Sequence, residues 1–103
     1  NLREMANDWD FSSEGRKRQS SRMRALADFE KKNGRLVICD FICPTKEARK
    51  IFDADFVIWM DTIKESNYED TDKIFEEPEK FNLKISSWDQ YSPSKVASLI
   101  RDV

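Results

Sequence analysis

The residues best suited to chemistry in this sequence are basic and lie near the amino terminus. Five cations and no acid fall between residues 16 and 24, namely Arg16, Lys17, Arg18, Arg22 and Arg24. Guanidinium groups pair with phosphate or sulfate oxygens two at a time, so this cluster is suited to holding an anionic group. The alternative is a helix face in contact with solvent, which a chain with 37% charged residues also produces.

Four further features are candidates for a site, and each has a structural alternative. Phe11 either packs on the first turns of a following helix or stacks on a flat heterocycle. Cys43 is either a nucleophile or a small residue lining a pocket, and we favour the second because the chain has no histidine to activate a thiol. Asp40 lies within an apolar run, which predicts a buried carboxylate with an arginine partner. The acidic pairs at 69–70 and 76–77 could ligate a metal, but solvated loop charges are the favoured interpretation.

Composition narrows the classes of protein to consider. The chain has 103 residues, enough for one domain, and a net charge of −2. Neither the charge balance nor the apolar runs indicate a nucleic-acid or membrane partner. The only glycines are Gly15 and Gly34, so no glycine-rich phosphate loop can be formed. On an extended strand Cys39 and Cys43 would lie roughly 13 Å apart, beyond disulfide reach, and reduced thiols suit a cytoplasmic protein.

The elements that must position these residues follow an α/β order. Helices are predicted from Ser12 or Ser13 to about Gly34, at 45–52 and from Pro93 onward, and strands at 36–42, 55–61 and 82–88. The continuous apolar runs at 36–42 and 55–61 are typical of parallel strands that are covered on both faces. Ligands bind beyond the carboxyl ends of such strands, which is where Cys43 lies. A parallel sheet of only three strands would have unpaired strand edges, so we expect that a strand which should flank these three is missing. Such unpaired edges would also allow a homodimer to form.

A series of short motifs, in order and spacing, resembles the adenylylsulfate (APS) kinases, a family of P-loop kinases. The matching residues are Asn1-Leu2-Arg3, Phe11-Ser12, Arg16, Phe41-Ile42-Cys43-Pro44, Arg49, Asp61-Thr62 and Glu76-Glu77-Pro78. The stretch YEDTDKIFEEPEKF is similar to a variant lid of marine bacterial and phage members. The resemblance covers nearly the whole chain and is closest over residues 1–62. It rests on the ordered series, since no single motif is decisive.

The resemblance implies a partial three-layer P-loop kinase-like α/β fold, a parallel sheet with flanking helices from which the N-terminal strand and the P-loop are missing. Residues 1–103 would be a single domain, the C-terminal part of an APS kinase domain. Within it, 1–62 would form a substrate-binding core, 63–81 a lid-like segment and 82–103 the last strand and helix. The implied reaction transfers the γ-phosphate of Mg-ATP to the 3′-hydroxyl of APS, for sulfate assimilation in the cytoplasm.

Site residues are implied by position in the family pattern. The residues that would bind APS are Arg3, Phe11, Arg16, Gln19, Ile42, Cys43, Lys73 and Phe75. Arg3 and Arg16 would hold the phosphosulfate, and Phe11 would stack on the adenine with Phe75 on the opposite face. Gln19 replaces an asparagine of the family. Two further departures are Cys43 in place of a serine and Gly15 in place of an aspartate that would partner the following arginine.

The resemblance implies no catalytic residue and no metal ligand within this chain. The Walker A residues and the aspartate base would lie upstream of Asn1, so Mg²⁺ and ATP would be bound by the intact parent protein. Two other functions stay open. One is a non-catalytic α/β module that binds an anionic partner through the helix at 16–24, and the other is a P-loop kinase for another small acceptor.

Overall fold

The computed structural model describes residues 1–62 and 69–101. The chain divides into two compact units, Asn1–Asp53 and Ala54–Val103. The first contains the helices α1 (Leu2–Ala6), α2 (Ser13–Lys32) and α3 (Lys46–Phe52). The second contains β1 (Ile58–Met60), α4 (Glu69–Ile74), β2 (Leu83–Ile85), a 3₁₀ turn (Trp88–Gln90) and α5 (Pro93–Arg101). The lid-like prediction for 63–68 and the side chains of the acidic pair at 69–70 lie outside the described residues.

The long helix α2 begins and ends where the sequence predicts. The Ser12 hydroxyl accepts a hydrogen bond from the Gly15 amide at 3.2 Å, which caps the first turn. At the other end Asn33 is the C-cap, and Gly34 follows with a φ of 74°, a left-handed conformation that favours glycine. The prediction of a capped helix to about Gly34 is therefore confirmed.

The segment at 36–42 differs from its prediction. It belongs to no sheet among the described residues, and its side chains alternate in exposure. Leu36 is 71% and Ile38 80% exposed, whereas Phe41 is partly buried and packs edge-to-face on Phe52 with ring centroids 5.3 Å apart. The prediction of a strand buried on both faces is wrong, because within the described part of the chain only one side of this segment is covered.

The same alternation overturns the prediction for Asp40. This residue falls on the uncovered side with Leu36 and Ile38, so its carboxylate is exposed rather than buried. An exposed carboxylate is solvated by water and does not require an arginine partner.

The second unit holds a two-stranded parallel sheet. Ile58 is in register with Leu83 and Met60 with Ile85, and Ile85 is among the most buried side chains that the structure describes. On the sheet, Lys84 Nζ lies 4.3 Å from the Trp59 ring centroid. The parallel pairing is as predicted, with shorter strands, and the protein is a small mixed α/β protein. No helix in the described ranges is long and apolar enough to cross a membrane.

Candidate functional site

A cavity of about 380 Å³ lies in the first unit. Six of the residues predicted to bind a ligand line it, namely Arg3, Phe11, Arg16, Gln19, Ile42 and Cys43. These positions are spread over forty residues of sequence, and the fold of this unit brings them to one place. Lys73 and Phe75 belong to the second unit, where both are exposed, and their part in a ligand site stays a prediction.

Three stretches of chain form the walls of the cavity. Helix α1 supplies Arg3, and the first turns of α2 supply Arg16 and Gln19. Arg16 and Gln19 lie three residues apart, which places them on one helix face, and both are buried. Residues 40–44 form a further wall. The polar inner face of α2 thus borders the cavity.

Two guanidinium groups lie close to the Phe11 ring at the cavity. Arg3 Cζ is 4.4 Å and Arg16 Cζ 5.5 Å from the centroid of the Phe11 ring. Arg3 Nη1 donates to the carbonyl oxygens of Asp8 at 3.2 Å and Asp10 at 3.3 Å, and Arg16 Nε donates to the Phe11 carbonyl at 2.8 Å. The ring is 45% exposed, so part of its surface is open to solvent. An aromatic face beside two cations suits a flat anionic ligand.

Two acids that the sequence interpretation missed neutralise part of the basic cluster. Arg18 donates to Asp8 Oδ2 at 3.1 Å and to Asp10 Oδ2 at 2.7 Å, and Arg22 Nη2 lies 2.9 Å from Asp8 Oδ2. The hydrogen bond from Arg18 holds the pKa of Asp8 well below its ordinary value. The signal in the sequence was the pair of aspartates in DWDF, directly before the N-cap of α2.

The remaining cations of the cluster outside the cavity are also paired. Lys17 Nζ lies 3.0 Å from a Glu47 oxygen and 3.1 Å from a Glu14 oxygen, and these two carboxylates raise the pKa of Lys17. Arg24 pairs with Asp28 at 3.1 Å and donates to two carbonyl oxygens at the end of α3. The cluster is therefore mostly part of the scaffold.

Cys43 lies at the end of the apolar segment in a strained conformation. Its φ of 45° is unusual for a residue with a side chain, and Arg49 Nε donates to its carbonyl oxygen at 3.1 Å. Its Sγ lies 3.7 Å from the hydroxyl of Ser20, which is fully buried. Burial raises the pKa of the Cys43 thiol, which lowers the thiolate population. This environment favours the interpretation of Cys43 as a lining residue over that of a nucleophile. Cys39 and Cys43 are both free thiols.

Within residues 1–62 and 69–101 no group of three or more acidic or cysteine side chains is arranged to hold a metal ion. The acidic pair at 76–77 is exposed to solvent.

The carboxylates of Asp8 and Asp10 predict loss of stability in acid. Hydrogen bonds from Ser12 and Arg18 lower the pKa of Asp10 from 3.8 to about 2. A depressed folded-state pKa gives stability that is complete above the unfolded pKa and is lost as pH falls through the folded one. We therefore expect the melting temperature to fall as pH decreases from about 4 to about 2, measured by circular dichroism.

Arg18→Met tests the source of that acid transition. It should lower the melting temperature near neutral pH and make the acid-induced decrease smaller. Arg101→Met, which removes a cation from α5, should leave the decrease as in wild type. Equal acid profiles for wild type and Arg18→Met would contradict the assignment.

Comparisons of the chain with protein-family models, with curated proteins and with solved structures gave no match.

Proposed function

We propose that this chain forms the adenylylsulfate-binding part of an adenylylsulfate kinase. The observation that carries the proposal is that six residues chosen from sequence motifs line a single cavity, although they come from three separate stretches of chain. The cavity volume of about 380 Å³ falls within the range of roughly 300–1,000 Å³ that is usual for small-molecule sites.

The chemistry of the cavity wall fits the two ends of such a ligand. Arg3 and Arg16 offer guanidinium groups for a phosphosulfate, and the nearby Phe11 ring, which is 45% exposed, offers an aromatic surface for the adenine. The other cations of the cluster at 16–24 have acidic partners, so less positive charge is available along the outer face of the helix. This distribution supports a small anionic ligand in the cavity over a broad anionic partner along the helix.

The intact enzyme would transfer a phosphoryl group from Mg-ATP to the 3′-hydroxyl of APS. The residues described here do not fit Mg²⁺ or ATP, because they contain no metal-ligating cluster and the chain has no glycine-rich loop. The role proposed for this chain is therefore to bind and orient the acceptor. The purified 103-residue chain is expected to form no 3′-phosphoadenylyl sulfate from ATP and APS.

The proposal is tested by isothermal titration calorimetry of the chain with APS, and with AMP as the matched ligand that lacks sulfate. We expect one site for APS with a Kd below about 100 μM, and at least about tenfold weaker binding of AMP, because AMP lacks the sulfate that the arginines would contact. Absence of APS binding by the folded chain would refute the proposal. Equal affinity for APS and AMP would indicate a kinase site for another small acceptor.

Alkylation by iodoacetamide locates the bound ligand. Cys43 lines the cavity and Cys39 does not, so Cys39 serves as an internal control. Saturating APS should slow the alkylation of Cys43 and leave that of Cys39 unchanged, as measured by mass spectrometry of the peptides. Equal protection of both thiols would mean that APS does not bind in this cavity.

A further inference from the structure

The side-chain amide of Gln19 is held in one orientation by Arg22. Arg22 Nε donates to Gln19 Oε1 at 3.1 Å and Arg22 Nη2 donates to the same oxygen at 2.8 Å. A guanidinium group has donors and no acceptor, so the amide atom that faces it must be the oxygen. The alternative orientation would place the amide NH₂ against two other N–H groups.

This arrangement decides which part of the amide is available for a ligand. A carbonyl oxygen has two lone pairs, and the two Arg22 donors use both of them. Gln19 is 8% exposed and lines the cavity, so its unused hydrogen-bonding capacity is the NH₂ group. A glutamine that was free to rotate would offer either an acceptor or a donor.

We propose that Arg22 is a positioning residue, which fixes Gln19 so that its NH₂ group donates to an oxygen of the anionic ligand. The proposal rests on the proposed function for the identity of the ligand, APS, and on the contacts above for the orientation. A fixed donor at this position selects a ligand that accepts a hydrogen bond there.

Arg22 acts through Gln19 rather than on the ligand itself. Its Nη2 also lies 2.9 Å from Asp8 Oδ2, so an acid already neutralises its charge. It is not among the residues that line the cavity in the described part of the chain. Asp8 is held in turn by Arg18, with 3.1 Å between Arg18 Nε and Asp8 Oδ2. A continuous series of hydrogen bonds and ion pairs therefore links Arg18 to Asp8, Asp8 to Arg22, and Arg22 to Gln19 at the cavity.

Gln19→Glu tests the NH₂ donor of Gln19 while keeping the size and shape of the side chain. A glutamate of nearly the same size keeps an oxygen for Arg22 but replaces the NH₂ donor with a second, anionic oxygen. We expect APS affinity to fall by at least about 30-fold while the melting temperature is unchanged or higher, because the pair with Arg22 becomes an ion pair. Binding of APS at the wild-type level by Gln19→Glu would overturn the proposal.

A double-mutant cycle tests whether Arg22 acts through Gln19. Arg22→Met should weaken APS binding by about fivefold in the wild-type background and by less than about twofold in the Gln19→Ala background. Arg22→Lys, which can restore one donor to the amide oxygen, should recover part of the loss. An equal loss from Arg22→Met in both backgrounds would show that Arg22 acts on the ligand directly and would refute its positioning role.

Nuclear magnetic resonance gives a readout that needs no ligand. Arg22→Met should move the side-chain NH₂ resonances of Gln19 toward random-coil values, whereas the matched control Lys32→Met, at the far end of α2, should leave them in place. Unchanged Gln19 resonances in Arg22→Met would refute the orientation by Arg22. If the wild-type chain binds no APS, the proposed function fails, and these resonances still decide whether Arg22 orients Gln19.

Discussion

Replacement of Arg16 by alanine is expected to lower the affinity of the chain for APS by about 100-fold, which corresponds to ~2.7 kcal/mol. Arg16 is 7% exposed, lines the cavity and has its guanidinium 5.5 Å from the Phe11 ring centroid. The loss is large because the charged hydrogen-bonding partner that would be removed is itself buried. Calorimetric titration with APS measures it directly.

A matched control distinguishes direct contact of Arg16 with the ligand from the effect of changing the net charge of the chain. Lys32→Ala removes the same charge from the opposite end of α2, where the side chain is exposed, and should change APS affinity by less than about twofold. If long-range attraction alone mattered, both variants would weaken binding to a similar extent.

The fold of the Arg16 variant needs its own check, because Arg16 Nε also donates to the Phe11 carbonyl at 2.8 Å. Arg16→Lys keeps the charge and much of the buried stem but loses the planar fork of donors, so about tenfold weaker binding is expected. Wild-type affinity in both Arg16→Ala and Arg16→Lys would remove Arg16 from the site.

Replacement of Gly15 by alanine is expected to destabilise the protein by about 2 kcal/mol or more. A Cβ at residue 15 would overlap the carbonyl oxygen of Asp10 and approach its Cγ to 2.6 Å. Backbone atoms cannot move aside as the end of a flexible side chain can, so the loop before α2 would have to shift. A decrease of about 10 °C in melting temperature is expected for a chain of this size.

The control for this substitution is Ser21→Ala, an exposed position of the same helix. Alanine has the higher helix propensity in both replacements, so Ser21→Ala should be neutral or stabilising by up to about 0.5 kcal/mol. A stabilised Gly15→Ala variant would contradict the close approach of Asp10 to α2. It would also weaken the explanation for a glycine at the position where the resembling family has an aspartate.

The structure explains why residue 15 is a glycine. The space beside residue 15 is filled by Asp10, whose carboxylate pairs with Arg18. Position 15 cannot carry a side chain while Asp10 lies there. The sequence alone did not explain why position 15 has no carboxylate. Nothing in the sequence pattern indicates that Asp10, five residues earlier, folds onto the start of α2.

Local signals were sufficient for α2, α3 and α5, whereas the short helices α1 and α4 were not predicted. Ser12 and Gly34 mark the ends of α2 because capping depends on residues close in sequence. The six residues at the cavity were chosen from the resemblance to a family pattern, through the order and spacing of its motifs, and the fold of the first unit brings them together. The second unit likewise pairs its two strands in parallel at the predicted positions.

Two features that the sequence did not predict depend on partners that are distant along the chain. The apolar run at 36–42 indicated a strand suited to burial, but hydrophobicity does not specify what covers each face, and Leu36 and Ile38 are exposed. The cations of α2 indicated an anion site, yet Asp8 and Glu47 neutralise several of them, because Coulomb energy depends on distance in space. Residue types and periodicity therefore define which chemical groups the chain can offer to a ligand. The packing of the loop before α2 determines which of its cations are neutralised by neighbouring acids.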